Sequence, residues 1–150
     1  MIKIIAVGKL KESYFREAVE EYLKRLSKYT KIEIMEVPDE NYDIVKTLEK
    51  EKDSILKHIS DKDYVITLEI EGKEMTSIEL SNKINDTLIN NSDITFIIGG
   101  SYGLHNIIKE RSNYRLSFSK MTFPHQLFRI MLLEQLYRSY KILNNETYHK

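Results

Sequence analysis

The chain has 150 residues, and its 23 Lys or Arg and 23 Asp or Glu leave no formal net charge at pH 7. This length fits a single domain, residues 1–150, that can bury a real core, and the absence of cysteine excludes disulfides and thiolate metal sites. The apolar run at Ile2–Val7 is too short for a signal peptide and no stretch reaches membrane-spanning length, so we expect a cytoplasmic protein.

The first half of the chain alternates strands with helices. Runs of apolar, β-branched residues, or of apolar residues that alternate with polar ones, predict the strands. Apolar residues at helical spacing predict the helices. Gly8 ends the first strand, Pro38 stops the second, and Gly72 is expected to turn the chain after the third. The predicted elements are the strand Ile2–Val7, the helix Glu12–Lys28, the strand Lys31–Val37, the helix Ile44–Ser60 and the strand Tyr64–Ile70.

The second half continues the alternation. Thr76 followed by Glu79 fits a capping box that opens a helix, and Pro124 is tolerated in the first turn of the last helix. After the helix that Thr76 opens, the predicted elements are the strand Asp93–Ile98, a short helix Leu104–Arg111, the strand Arg115–Phe118 and a helix from Thr122–Pro124 to about Leu143.

Strands that alternate with helices throughout predict an α/β fold. We expect a mostly parallel sheet of five to six strands with helices on both faces. Two irregular turns, Gly99–Gly103 and Phe118–Phe123, follow strands. Because ligands bind beyond the carboxyl ends of the strands in such sheets, the two turns predict a ligand pocket.

The last predicted helix is apolar on more than one side. Its apolar residues from Leu127 to Leu143 do not fit one narrow stripe, so the helix must be buried on more than one face. The sheet would cover one face. The other could pack against a second copy in a homodimer, or the helix could lie sandwiched within one protomer.

Charge is distributed unevenly along the chain. Residues 101–150 carry eight Lys or Arg against three Glu, a net charge of +5, and the first hundred residues carry −5. A nonspecific nucleic-acid binder is expected to be basic throughout, because phosphate neutralisation supplies its affinity. The positive charge of residues 101–150 therefore indicates an anionic ligand or partner in that part of the chain. The alternative is an ordinary solvated surface on which the charges happen to be unevenly distributed.

Several side chains near the two turns could carry chemistry. The glycine-rich turn lacks both the Walker spacing and the dinucleotide fingerprint, and it fits a ligand loop as well as a plain strand-to-helix turn. No nucleophile elbow and no metal motif is present, so a cofactor would have to bring the reactive group. The polar residues that stand out are His125, which could also simply face solvent, and Arg129 one helical turn later. Glu134 and Arg138 are more readily explained as a pair on the helix surface, although Arg138 could also reach a phosphate. Tyr148 and His149 lie in a tail that composition alone predicts to be frayed, so the residues by themselves assign it no role.

These segments resemble the ribosomal large subunit methyltransferase H family, within the SPOUT or α/β-knot methyltransferases, and the resemblance covers essentially the whole chain. Ser101 and Tyr102 follow the double glycine where many relatives have proline first. The segments that carry the resemblance are Ile5–Lys9, Ile97–Gly100 with Gly103, Ser117–Thr122, Pro124 and His125, Arg129, Glu134, Tyr137 and Arg138, and Tyr148 and His149.

The resemblance implies a homodimeric enzyme of rRNA processing with a C-terminal trefoil knot and no metal or membrane partner. It would use S-adenosylmethionine to methylate N3 of a pseudouridine in the helix 69 loop of 23S rRNA, in the assembled 70S ribosome. The implied cofactor-binding residues are Leu68, Gly99, Gly100, Gly103, Phe118, Ser119, Lys120, Met121, Thr122 and Phe123. The implied catalytic residues are His125, Arg129, Arg138, Tyr148 and His149.

Two other functions remain open at this point. One keeps the fold and the cofactor but moves the target to tRNA or to a ribose 2′-hydroxyl. The other is a ribosome-binding assembly factor without catalysis, against which the intact glycine turn and the Thr122–His125 turn argue. The group that removes the N3 proton is also open: His125, Tyr148, His149 or a water relay.

Overall fold

Five strands and five helices alternate along the chain, and the computed structural model describes all of residues 1–150. The strands are β1 (Ile2–Val7), β2 (Ile32–Val37), β3 (Tyr64–Glu74), β4 (Ile94–Ile98) and β5 (Tyr114–Ser117). The helices are α1 (Ser13–Leu26), α2 (Ile44–Leu56), α3 (Ser77–Asn90), α4 (Asn106–Arg111) and α5 (His125–Leu143). None of the five helices has the length and apolarity needed to cross a bilayer.

The strands form one sheet in the order β2-β1-β4-β3-β5, and every neighbouring pair is parallel. This confirms the predicted α/β sheet, with five strands rather than six. The central strands β1 and β4 are almost completely buried, as expected for strands covered on both faces. All carboxyl ends therefore meet at one edge of the sheet, where the two irregular turns lie.

Helices cover both faces of the sheet and create two hydrophobic cores. Along β1 the side chains alternate, because successive residues of a strand point to opposite faces. Ile4 belongs to the larger core, which α1, α3 and α5 complete, whereas Ile5 belongs to the smaller core with Ile55 of α2 and Ile108 of α4. The apolar run of β1 is thus explained by burial on both sides.

Helix α5 lies between α1 and α3 on the face of the larger core. Its fully buried side includes Leu132, Leu133 and Leu136. A second side of α5 stays half-buried. Its residues follow one another at intervals of four, three and four positions, and they are Leu127, Met131, Glu134 and Arg138. The arrangement is consistent with the trefoil knot that the resemblance implies.

Strand β3 is longer than the sequence predicts. It continues through Gly72 to Glu74, and its pairing with β5 shifts so that Leu68 and Lys73 both pair with Leu116. A Cβ built on Gly72 would lie 2.7 Å from the carbonyl oxygen of Arg115. Gly72 therefore allows a close approach of two backbones within an irregular strand, and it does not end the strand.

Candidate active site

A cavity of about 420 Å³ lies beyond the carboxyl ends of β4 and β5 and beside residues 68–71 of β3. This volume falls in the range of pockets that bind small molecules and cofactors. The structure brings both irregular turns to it. Of the residues predicted from the resemblance, its walls contain Leu68, Gly99, Gly100, Gly103, Phe118, Ser119, Met121, Thr122, Phe123 and His125. Lys120 belongs to the same loop but does not line the cavity.

The Gly99–Gly103 turn folds tightly on itself at one wall of the cavity. The N–H of Gly103 donates to the carbonyl oxygen of Gly100 over 3.1 Å, and Gly103 has a φ of +79°. A Cβ built on Gly99 would lie 2.5 Å from the carbonyl oxygen of Gly103. Glycine at position 99 is thus a steric requirement of this wall.

The loop between β5 and α5 forms the opposite wall and leaves several polar backbone groups without a partner. The N–H of Met121 donates to the hydroxyl of Ser119 over 3.0 Å, whereas the N–H groups of Lys120, Thr122 and Phe123 make no hydrogen bond within the chain. Met121 is 73 % exposed. Free amides beside apolar side chains are suited to a ligand that is partly aromatic and partly polar.

A charged network, which sequence analysis did not identify, lies on the β3 side of the cavity. Glu69, Glu71 and Lys109 line the cavity, and Arg115 holds Glu69 by two hydrogen bonds of 2.8 and 2.7 Å. Burial alone would raise the pKa of Glu69, but hydrogen bonds from Arg115 and Thr67 lower it below its ordinary value. The position of Glu69 directly after Leu68, near the carboxyl end of a strand, was the signal that could have revealed it.

His125 begins α5 at the border of the cavity. Its imidazole is half-buried, and a Cβ built on Gly8 would lie 3.5 Å from its Nε2 atom and 3.9 Å from Oδ2 of Asp39. The imidazole therefore reaches from the cavity towards the turn that follows β1. Arg129, one helical turn later, does not reach the cavity, and its guanidinium is buried beneath that same turn.

The other predicted catalytic residues lie at the far end of α5. Tyr148 donates to Glu134 over 2.9 Å, and Arg138 contacts both Glu134 and the His149 ring. Thirteen residues separate His125 from Arg138, about 20 Å along a helix. Within one protomer the tail and the cavity are therefore far apart. Burial and the hydrogen bond to Glu134 also raise the pKa of Tyr148, so its phenol stays protonated at neutral pH in this position.

Glu51 of α2 lies behind the glycine turn, and sequence analysis assigned it no role. The residue is 3 % exposed, and its carboxylate accepts a hydrogen bond of 3.1 Å from the N–H of Glu40. A Cβ built on Gly100 would lie 3.4 Å from its nearer carboxylate oxygen. Burial, together with the charges of Asp39 and Glu40, raises the pKa of Glu51. In the sequence it resembles the other charged residues of an amphipathic helix, so nothing distinguished it.

The raised pKa of Glu51 predicts how Glu51→Gln changes stability with pH. Between the ordinary carboxyl pKa and the raised one, the folded state binds more protons than the unfolded state, so the wild type loses stability as pH rises through this window. Glutamine does not titrate. The free energy of unfolding of the variant relative to the wild type is therefore expected to be higher at about pH 7 than at about pH 4 in urea denaturation.

Glu71→Gln is the matched control, because a hydrogen bond from Lys109 lowers the pKa of Glu71. The contribution of Glu71 is present above the ordinary carboxyl pKa and is lost as pH falls, so its variant is expected to show the opposite trend. The same trend in both variants would contradict the assignment for Glu51.

Comparison with known proteins gives three consistent findings. The family model described as "Predicted SPOUT methyltransferase" matches residues 1–149. The chain is similar, at 57 % and 55 % identity, to proteins of Clostridium tetani and Clostridium botulinum named ribosomal RNA large subunit methyltransferase H, with 99 % of each chain covered. A solved structure described as a probable methylase family protein from Haemophilus influenzae Rd KW20 aligns with a TM-score of 0.58 at 14 % identity, over 99 % of this chain and 70 % of that one, and supports the fold alone.

Proposed function

The chain belongs to the SPOUT methyltransferase family, and from this premise we propose that it is an S-adenosylmethionine-dependent rRNA methyltransferase. Its target would be N3 of a pseudouridine in the helix 69 loop of 23S rRNA, within the 70S ribosome. The names of the relatives support large-subunit rRNA as the target, whereas the pseudouridine, its N3 atom, helix 69 and the 70S ribosome rest on the sequence resemblance alone. The observation that carries the enzymatic proposal is the cavity between the two irregular loops.

The residues of this cavity fit S-adenosylmethionine. Leu68, Phe118 and Phe123 supply apolar walls for an adenine ring, and the free N–H groups of Thr122 and Phe123 can donate to its ring nitrogens. Gly99 lets the facing wall fold tightly on itself, because any side chain there would collide with the backbone of Gly103. The cavity is thus apolar where a ring would pack and polar where hydrogen bonds would orient it.

The bound cofactor supplies an electrophilic methyl group on a sulfonium, so the protein mainly has to position the base and accommodate its N3 proton. We assign the position nearest the reacting atoms to His125, because it alone among the proposed catalytic residues lines the cavity. An imidazole can take a proton near neutral pH. Tyr148 is a poor candidate for this role while its phenol donates to Glu134 and its pKa is raised.

A homodimer would explain how the distant tail takes part. The half-buried side of α5 presents Leu127 and Met131, and it continues to Arg138 and the tail. In a two-fold dimer the same side of both helices would meet. If the two α5 helices run antiparallel, Tyr148 and His149 of each protomer lie beside His125 of the other.

The test is methyl transfer to defined acceptors with the purified protein. We expect calorimetry to show binding of S-adenosylmethionine and competition by S-adenosylhomocysteine, and mass spectrometry to find one methyl group on the helix 69 fragment of 70S ribosomes. Binding without transfer to any RNA would favour an assembly factor. Transfer to tRNA or to a ribose hydroxyl, with none to helix 69, would replace the target. Absence of cofactor binding would refute the enzymatic proposal.

A further inference from the structure

We propose that Arg129 is a positioning residue that holds His125 in place by fixing the Gly8 turn, which the imidazole faces. The proposal deepens the proposed function and rests on it for the role of His125. It replaces the catalytic role that the resemblance implies for Arg129, because the guanidinium does not line the cavity.

The Arg129 guanidinium links α5 to two other parts of the fold. Although the residue is only 2 % exposed, Nη1 donates to Glu36 of β2 over 2.6 Å, and Nη2 donates to the carbonyl oxygen of Gly8 over 3.1 Å. Its Nε atom is buried without a partner. A buried guanidinium is costly unless it is paired, so the structure keeps this cation there for two specific contacts.

Hydrogen bonds hold both backbone groups of Gly8. Its N–H donates to the carbonyl oxygen of Val37 over 2.8 Å, and its own carbonyl accepts from Arg129. Its φ of +93° lies in the left-handed region, which favours glycine. With both of its peptide groups engaged, the backbone at Gly8 is held in place, and the Nε2 atom of His125 lies 3.5 Å from the point that a Cβ on this glycine would occupy.

Helical spacing connects the two ends of this arrangement. His125 and Arg129 are four residues apart and lie on the same side of α5. Arg129 therefore fastens the N-terminal part of α5 to the ends of β1 and β2, while His125 extends from the first turn of the helix to the cavity. An arginine suits the task because its planar fork reaches the carboxylate and the carbonyl at once, which a lysine ammonium does not do with the same geometry.

The test is a double-mutant cycle with Arg129→Lys and His125→Ala, measured as methyl transfer to 70S ribosomes. Arg129→Lys alone is expected to lower kcat about tenfold or more, since a small misplacement of a reacting group is costly. The Kd for S-adenosylmethionine should change less than about threefold, because Arg129 lies outside the cavity. In the His125→Ala background, Arg129→Lys should cause no further loss of kcat. Losses that multiply in the double variant would overturn the proposal.

A second measurement does not depend on activity. NMR of the imidazole ring protons should show shifted or broadened signals for His125 in Arg129→Lys and in Glu36→Gln, while the signals of His58, which follows α2, stay unchanged. Glu36→Gln keeps the arginine and serves if Arg129→Lys does not fold. Unchanged His125 signals in a folded variant would also overturn the proposal. If the wild type transfers no methyl group, the proposed function fails, and the ring signals still decide whether Arg129 orders His125.

Discussion

Alanine in place of Gly99 is expected to weaken the binding of S-adenosylmethionine at least about a hundredfold, or about 2.7 kcal/mol. The added Cβ would lie 2.5 Å from the carbonyl oxygen of Gly103, 2.7 Å from its carbonyl carbon and 3.1 Å from Cδ2 of Leu104. Two of these three atoms are backbone, so the turn itself must move. Because the turn is one wall of the cavity, isothermal titration calorimetry should register the movement as lost affinity.

Gly103→Ala is the matched control for this prediction. No atom lies within 4 Å of a Cβ built on Gly103, so the substitution adds only the backbone strain of a positive φ, on the order of 1 kcal/mol. We expect its affinity to fall less than about tenfold. Thermal unfolding should show that both variants are folded. Equal losses of affinity in the two variants would contradict the prediction, because backbone strain would then account for the loss without any steric collision at position 99.

Removal of residues 148–150 is expected to lower turnover at least about a hundredfold while the Kd for S-adenosylmethionine changes less than about threefold. The cavity contains no tail residue, whereas the proposed dimer places Tyr148 and His149 beside the reacting base. Single-turnover methylation of 70S ribosomes and calorimetry measure the two quantities. Equal losses in both would make the tail a structural element of α5, which its contacts with Glu134 and Arg138 also allow.

A mixture of two strongly impaired variants tests whether the tail acts across the dimer. One variant carries His125→Ala with an intact tail, and the other carries an intact His125 without residues 148–150. If each site combines His125 of one protomer with the tail of the other, statistical mixing restores about a quarter of wild-type activity, because half of the dimers contain one complete site. A tail that acts within its own protomer predicts no recovery.

The regular part of the fold could be predicted from the sequence because local chemistry determines it. The β-branched run of β1 became a strand buried on both faces. Thr76 and Glu79 form the capping box expected at the start of α3. The end of β3 could not be predicted in this way. In the sequence Gly72 resembles a turn signal. In the structure it must be glycine because a Cβ there would collide with the backbone of Arg115, more than forty residues away.

The candidate site was predictable only in part. The glycine turn and the Phe118–Phe123 loop could be recognised as irregular segments at strand ends, and the structure brings them to one cavity. The burial of Arg129 and its hydrogen-bond partners could not be predicted. A cation on a helix is usually exposed, and its partners Gly8 and Glu36 precede it by 121 and 93 residues. Such contacts leave no mark on local periodicity.

The position of α5 in the larger core also bears on the biosynthesis of the protein. Leu132, Leu133 and Leu136 of this helix are completely buried in that core. Every strand pair is parallel and joins segments distant in the chain, a topology that folds slowly. A nascent chain that lacks α5 therefore exposes the apolar surfaces of α1, α3 and the sheet. We expect the domain to complete its folding only after α5 has emerged from the translating ribosome, so chaperones have a long period in which to bind the unfinished core.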